Sequence, residues 1–452
     1  MNKKLLSVLA ISLCCSICVN GQVLDKYLTG TNTFTVIADA SNGILNPQDL
    51  DFIPGTNTWW ILNYEGATGS VNIIFDAGKT SQYTEFRRDS HAGHFMPRSS
   101  AIAIGDNGNF ATVHEIQNTA SPTSTFMGPA LWSTDTSIFA RLEQSNWEPT
   151  TLLGSHLDML HQSPFAMGIA HDAGNAYWVF DGYNGNICHY DFKAPHIVGG
   201  DDHADGEILR YSDVTVKRKN GLPSHMAFDK TNSWLYIVDG GNNRVIRMKT
   251  NSATDAGGLT APSTAGEPLA KYRNMTGATV EVLVSTGLTA PCGIDIRGDK
   301  MIVSDNATGD ILIYNVSSAP AALVGKISTG TIGIMGVRID WDNKIWYVNR
   351  NERKVVRIDN PNVPTSLNDN IALPDFKVYP NPAHDILYVH FDNKFYASET
   401  SIKLYDIDGK IVGSTISRDK TISFNTSGFA PGVYTVEVVN SKTRELRKVI
   451  IQ

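Results

Sequence analysis

The sequence predicts an all-β protein, a six-bladed β-propeller followed by a small antiparallel β-sandwich. Three observations lead there. From Thr33 to Asp359 apolar and polar residues alternate in short runs between Gly, Asn and Asp turns, without long helical periodicity. Within that region one unit recurs six times. After Asn360 the composition changes, and a second set of alternating strands follows an Asn- and Pro-rich stretch.

Length and composition frame this reading. At 452 residues the chain is long for one domain and suits two, one of them large. A hydrophobic content of 42% fills cores. With 18% charged residues and a net charge of -7, nothing draws the chain to nucleic-acid phosphates or anionic lipid, so no nucleic-acid role is expected.

Residues 1–21 read as a secretory signal peptide. Lys3 and Lys4 give the positive start, Leu5 to Val19 the apolar stretch, and Val19-Asn20-Gly21 a cleavage site before Gln22. That stretch is too short for a membrane anchor, and no longer apolar run follows. Cys14, Cys15 and Cys18 are not preceded by the small residue a lipid-attachment site wants. Removing the segment leaves Cys188 and Cys292, which fall in different repeats and are expected as free, mostly buried thiols.

The propeller spans residues 22–359. Its clearest unit starts at Pro223: Pro223-Ser-His-Met-Ala-Phe-Asp229, a turn, Trp234-Leu-Tyr-Ile-Val-Asp239, the tight turn Gly240-Gly-Asn-Asn-Arg244, then a third strand from Val245 to Met248. Copies start at Pro47, Pro97, Pro164, Pro291 and Ile334, spaced by roughly 45 to 70 residues as blades with insertions are. Fourth strands are expected at Tyr83 to Arg88, Thr150 to Leu153, Val214 to Arg218, Val280 to Val284 and Leu323 to Ile327. The sixth unit runs into Asn360-Pro-Asn-Val-Pro364 and has none, so Phe34 to Ala38 is expected to complete it and close the ring. The apolar strand ending in Asp239, then Gly-Asn-Asn-Arg244 and Val-Ile-Arg247, resembles the NHL-repeat family of six-bladed propellers. That family includes ligand-binding proteins and enzymes, so the likeness implies fold rather than function.

Residues 360–374 read as a linker and 375–452 as an Ig-like sandwich. Strands are expected at Ile386 to Phe391, Ser401 to Tyr405, Thr421 to Phe424, Val433 to Val439 and Leu446 to Ile451, with turns at Asp408-Gly409 and Pro431-Gly432. Three motifs stand in order: Tyr379-Pro380-Asn381-Pro382, Leu404-Tyr-Asp-Ile-Asp-Gly409-Lys410, and Gly432-Val-Tyr434-Thr-Val-Glu-Val438. Together they resemble the type A sorting domain of the type IX secretion system. The resemblance implies recognition by that machinery at the outer membrane, then removal of the module as the cargo is released or attached to the surface. No transmembrane anchor is expected in the mature chain.

Ten of the twelve histidines lie between His91 and His225. His94 and His161 stand three residues before Pro97 and Pro164, and His225 two after Pro223, so all three are expected on the face where inner strands begin. Three imidazoles on one rim suit a divalent metal such as Zn, Cu or Fe, with His91, His114, His156 and Asp158 nearby and Glu115 as candidate base. Loop histidines are more often solvated or packed, and in the propeller amidating lyases each ligand directly follows a blade-opening proline. Here Arg98, Phe165, Ser224 and Cys292 stand there instead. Asp181, Asp239 and Asp305 end second strands, where a calcium site competes with simple turn capping, the preferred reading. Tyr183, Arg98 and Phe165 are the candidates for touching a ligand. The expected function is recognition of an extracellular ligand (a glycan, peptide or surface component), with a metal-dependent lyase or hydrolase as the alternative.

Overall fold

The computed structural model describes residues 23–53, 56–117, 125–140, 154–200, 204–261, 268–363, 376–391, 400–407, 410–417, 419–439 and 444–452. The signal segment, the expected strand Thr150 to Leu153, most of the linker and Gly409 lie outside them. The chain divides into two compact units, with the division in sequence after Pro364.

Among the described residues the larger unit contains six sheets, each built outward from an inner strand. The inner strands are Pro47–Phe52, Ser99–Ile104, Gly168–His171, Met226–Asp229, Pro291–Arg297 and Ile334–Ile339, and they begin blades 1 to 6. Each inner strand lies beside the next, and the sixth lies beside the first, so the ring is closed. Second strands, Trp59–Asn63, Asn109–His114, Ala176–Asp181, Trp234–Asp239, Lys300–Asp305 and Ile345–Asn349, follow through tight turns. They are buried almost throughout because both faces pack on neighbouring blades.

Closure is as the sequence implies. Thr33–Ala38 pairs antiparallel with Lys354–Asp359 as the fourth strand of blade 6, with Thr33 opposite Asp359 and Val36 opposite Val356. A single 3-10 turn, Leu24–Leu28, precedes it and drives Tyr27 into the core against Ile345 and Ile358. Between blades 6 and 1, Trp346 and Trp59 stack at 4.1 Å. Apolar side chains thus fill the seam between the first and last sheets, where a sheet edge would otherwise be open.

Two fourth strands differ from expectation. Blade 3 ends with Glu207–Tyr211, not Val214 to Arg218. The Val214 N–H closes a turn on the Tyr211 carbonyl, and Val216 bonds the Gly185 carbonyl in the turn between second and third strands. Val214 and Val216 are buried, so they alternate like a strand without joining the ladder. The edge beyond Glu207–Tyr211 is occupied by a hairpin inserted in blade 4, whose arm Lys271–Thr276 pairs with it in parallel, making blade 3 six-stranded. In blade 2 the described fourth strand is the short Asp158–Met159.

The smaller unit is a two-sheet sandwich. Phe376–Tyr379, Ile386–Phe391 and Thr421–Asn425 form one sheet; Ile411–Ser417, Thr400–Tyr405, Gly432–Val439 and Arg444–Ile451 form the other. Alternate residues Leu387, Val389, Phe391, Ile402, Leu404, Val436 and Val438 face inward as one core. Among the described residues no helix is long and apolar enough to cross a membrane.

Candidate functional site at the mouth of the propeller channel

Each second strand ends in a buried polar residue: Asn63, His114, Asp181, Asp239, Asp305 and Asn349. The residues after them meet the segments that lead into inner strands: Tyr64 N–H bonds Asn46, Glu115 bonds Arg98, Asn306 bonds Ala290 and Arg350 bonds Gly333. In blade order these rim residues are Tyr64, Glu115, Gly182, Gly240, Asn306 and Arg350. Large polar or aromatic groups therefore come from three adjoining blades, 6, 1 and 2, and smaller ones from the opposite side.

These side chains are linked. Glu115 Oε1 accepts the Gly221 N–H at 2.7 Å, and Arg350 Nη1 donates to the Gly221 carbonyl at 3.1 Å. Arg350 also donates to Gln48 of blade 1 and lies 4.9 Å over the Tyr64 ring. Arg218 approaches Glu115 at 3.5 Å and stacks 4.1 Å over Phe165 of blade 3. Burial raises the Glu115 carboxyl above its usual range, offset by the Gly221 N–H and the charges of Arg218, Arg350 and Arg98. Burial likewise lowers Arg350. Gln48 Nε2, Glu115 Oε2 and Arg350 Nε are buried without a protein hydrogen-bond partner. Of the ligand candidates, Arg98 is exposed in a left-handed conformation, Phe165 lies under Arg218, and Tyr183 is half-exposed in the turn after Asp181.

Below the rim the channel is crossed by charge. His225 of blade 4 reaches the Ser100 carbonyl of blade 2 at 3.0 Å and Asp49 of blade 1 at 3.5 Å. Arg338 of blade 6 lies 3.7 Å from both Asp49 and Asp51. Burial opposes the Arg338 charge, but Asp49, Asp51 and Asp295 hold its pKa above the ordinary value. Burial lowers His225, which stays neutral.

His94, His161 and His225 do not form a group with ligand atoms within 4.8 Å of one another, although His94 and His161 both lie against the Phe126 ring. His225 lies in the channel because its strand begins at Met226, one residue later. His94 belongs to a short helical turn, Ala92–Phe95, and His161 stacks on Phe126 at 3.9 Å. A fixed offset from the blade-opening proline does not become a fixed height, because the strands start two, four and three residues after Pro97, Pro164 and Pro223. His114 is buried between Thr112 and the Gly128 carbonyl, His156 stacks on Phe95 at 3.7 Å, and His91 precedes the helical turn. Among the described residues, one group of three His, Cys, Asp or Glu has ligand atoms mutually within 4.8 Å: Asp158, His196 and Asp205. Asp158 opens the fourth strand of blade 2, opposite Leu131, and His196 and Asp205 belong to the loop between third and fourth strands of blade 3.

Asp181, Asp239 and Asp305 each accept hydrogen bonds at the rim, Asp181 from its own turn and Asp239 and Asp305 also from segments leading toward the inner strands. Asp181 accepts the N–H groups of Tyr183 and Asn184, Asp239 that of Lys217, and Asp305 those of Thr289, Ala290 and Ala307. Cys188 and Cys292 are free and buried, and burial pushes both thiols up to about 12. Neither is available as a thiolate nucleophile at neutral pH.

In the sandwich, Tyr379 is half-exposed, while Asn381 Oδ1 accepts the Ile450 N–H at 2.9 Å and ties Tyr379-Pro380-Asn381-Pro382 to the last strand. Gly432 pairs with Ile451, and the Tyr434 hydroxyl donates to Ala430 at 2.8 Å. Residues 377–452 match the family of secretion system C-terminal sorting domains. The C-terminal unit is a type IX sorting domain. The protein is thus exported by type IX secretion to the cell surface or beyond.

No curated protein sequence matches the chain. Among solved structures, PorZ, a surface component of the type IX secretion system of Porphyromonas gingivalis, is 13% identical with a TM-score of 0.39, covering 90% of this chain and 59% of PorZ. The chain therefore spans under two thirds of PorZ. An auxiliary nutrient binding protein from Bacteroides ovatus is 11% identical with a TM-score of 0.45, covering 73% of this chain and 77% of its own. Virginiamycin B lyase from Staphylococcus aureus is 11% identical with a TM-score of 0.42, covering 80% and 97%.

Arg350, Arg218, Gln48 and Tyr64 were not legible as site residues from motifs. The signal for Tyr64 and Arg350 is positional: like Glu115, each follows the last residue of a second strand.

Proposed function

We propose that the propeller is a recognition module, carried outside the cell by its sorting domain, that holds an extracellular ligand at the rim formed by Tyr64, Glu115 and Arg350. One observation carries this reading. Three buried polar atoms from blades 1, 2 and 6, on Gln48, Glu115 and Arg350, lack hydrogen-bond partners in the protein, although the side chains bearing them are linked to one another or through Gly221. Burying a polar atom unpaired costs about 1–3 kcal/mol, so such atoms gathered at one mouth favour an incoming group that pairs with them. The chemistry needed is reversible binding: charge-assisted hydrogen bonds from guanidinium groups, and acceptance of a donor by Glu115. The alternative of a metal-dependent lyase or hydrolase requires His94, His161 and His225 to converge, and their ligand atoms do not gather within 4.8 Å of one another.

The reading is tested with the chain lacking residues 1–21, titrated against polysaccharide and peptide fractions from the surroundings of the producing cells. Binding that is lost in Glu115→Ala and Arg350→Gln, with folding intact by circular dichroism, supports it. Binding untouched by both substitutions moves the ligand elsewhere and overturns it.

A further inference from the structure

We infer that the ligand held at this rim is an acidic saccharide, a uronate-type sugar whose carboxylate meets Arg218 and Arg98 while its hydroxyls reach Glu115 and Gln48. The inference rests on the recognition reading and narrows its ligand class.

Charge is the first ground. Three guanidinium groups, Arg98, Arg218 and Arg350, act on the single carboxylate of Glu115. The immediate surroundings of Glu115 are therefore net positive, on a chain whose net charge is -7. Arg350 is committed to Gln48, the Gly221 carbonyl and the Tyr64 ring. Arg218 is not. Among the described residues its contacts are the 3.5 Å approach to Glu115 and the face of Phe165, and neither engages its N–H fork in a hydrogen bond. Its side chain is 25% exposed. A guanidinium held over a ring with its fork open suits two-point binding of a carboxylate.

The second ground is the mixture of unpaired atoms beside that fork. Glu115 Oε2 accepts and Gln48 Nε2 donates, and both are buried. A hydroxyl does either, so neighbouring hydroxyls on one sugar ring satisfy both. An acidic peptide would instead pair its backbone with rim backbone, and that is largely spent. The Gly221 N–H and carbonyl serve Glu115 and Arg350. The N–H groups of Arg98, Phe165 and Tyr183 bond Glu65, Ile116 and Pro164, and the Arg98 carbonyl takes the Glu115 N–H. Tyr183, 44% exposed on the same rim, adds a ring face for the apolar side of a sugar.

The chain lacking residues 1–21 is titrated calorimetrically with galacturonate and glucuronate oligosaccharides, a neutral galactose oligosaccharide of equal length, and polyglutamate. The expected result is uronate binding that weakens with salt, falls about tenfold or more in Arg218→Gln, and falls less in Arg218→Lys, which keeps charge without the fork. Equal binding of the neutral sugar, still lost in Arg350→Gln, would overturn the acidic class and leave the recognition reading standing. Polyglutamate bound in place of uronate would overturn the saccharide. Uronate binding unchanged in both Arg218→Gln and Arg98→Gln would overturn the placement, and failure of every saccharide to bind would overturn the inference whatever the fractionated surface material shows.

Discussion

Glu115 at the end of blade 2 and Gly221 before blade 4 are joined by a 2.7 Å hydrogen bond from the glycine N–H to the carboxylate, across 106 residues of sequence. The bond fixes the loop that also presents Arg218, so rim shape and rim charge depend on one side chain. Glu115→Leu leaves that N–H unpaired and Arg218 without its counter-charge. We expect a loss of about 1–3 kcal/mol, read as a melting temperature lower by several degrees, whereas Glu115→Gln keeps an acceptor and stays near wild type. Identical melts for all three proteins would show that the loop is held by other contacts.

The pH dependence of stability has a source in blade 2. Burial lowers His114 from 6.5 to about 3, and its ring sits between Thr112 and the Gly128 carbonyl as a neutral imidazole. The unfolded chain takes a proton near 6.5 that the folded chain refuses. The stabilisation is therefore complete above 6.5 and is lost as pH falls from there toward 3. At pH 5 His114 alone accounts for about 2 kcal/mol. Asp51 and Asp340 oppose it, since burial raises both to about 6 and the folded state keeps their protons between roughly 4 and 6. His114→Gln should lose less stability than wild type between pH 7.5 and pH 5 in urea titrations. Parallel curves would rule out His114 as the source.

Much of this fold was legible because blades repeat their punctuation. Second strands such as Trp234–Asp239 and Lys300–Asp305 end in an Asp before a Gly- or Asn-containing turn, and the missing fourth strand after Asp359 pointed to Thr33–Ala38. The added arm Lys271–Thr276 was not legible. It lies between the Glu207–Tyr211 edge and Thr254–Gly258, its residues are only partly buried, and a half-covered strand shows little alternation. At the site, Arg98, Phe165 and Tyr183 are candidates from their places at blade starts and turns, and Glu115 as a base beside the histidines. Gln48 and Arg350 were not, since their pairing joins blades 1 and 6 and depends on the curvature of the ring. The imidazoles misled for a related reason: sequence offset from a proline says nothing of depth along the channel.

The sorting domain has its own core, in which Phe376, Phe391, Ile402 and Val436 are buried. Deleting residues 365–452 should therefore leave a propeller that folds but is not carried across the outer membrane. Cell fractionation should find the shortened chain retained in the periplasm with the melting temperature of the propeller in the full chain. Appearance of the shortened protein in the medium at wild-type levels would show a second export signal.

Ring closure makes the strongest demand on stability. The Tyr27 hydroxyl lies 3.1 Å from the carbonyls of Asn343 and Ile358 and accepts the Ile345 N–H at 3.3 Å, so one buried oxygen serves three backbone groups of blade 6. Burial drives its pKa far above the ordinary tyrosine value, and the group stays a neutral donor at any working pH. Tyr27→Phe strands those groups and should cost about 1–3 kcal/mol. Removing residues 22–38 is a different kind of change. It takes away the fourth strand of blade 6 as well and exposes the ladder of Lys354–Asp359 as an open edge beside blade 1. Light scattering should then report self-association at concentrations where the Tyr27→Phe protein remains monomeric. A monomeric truncated chain with an unchanged melt would mean that the seam is held by Trp59 against Trp346 alone, and that the strand pairing contributes little.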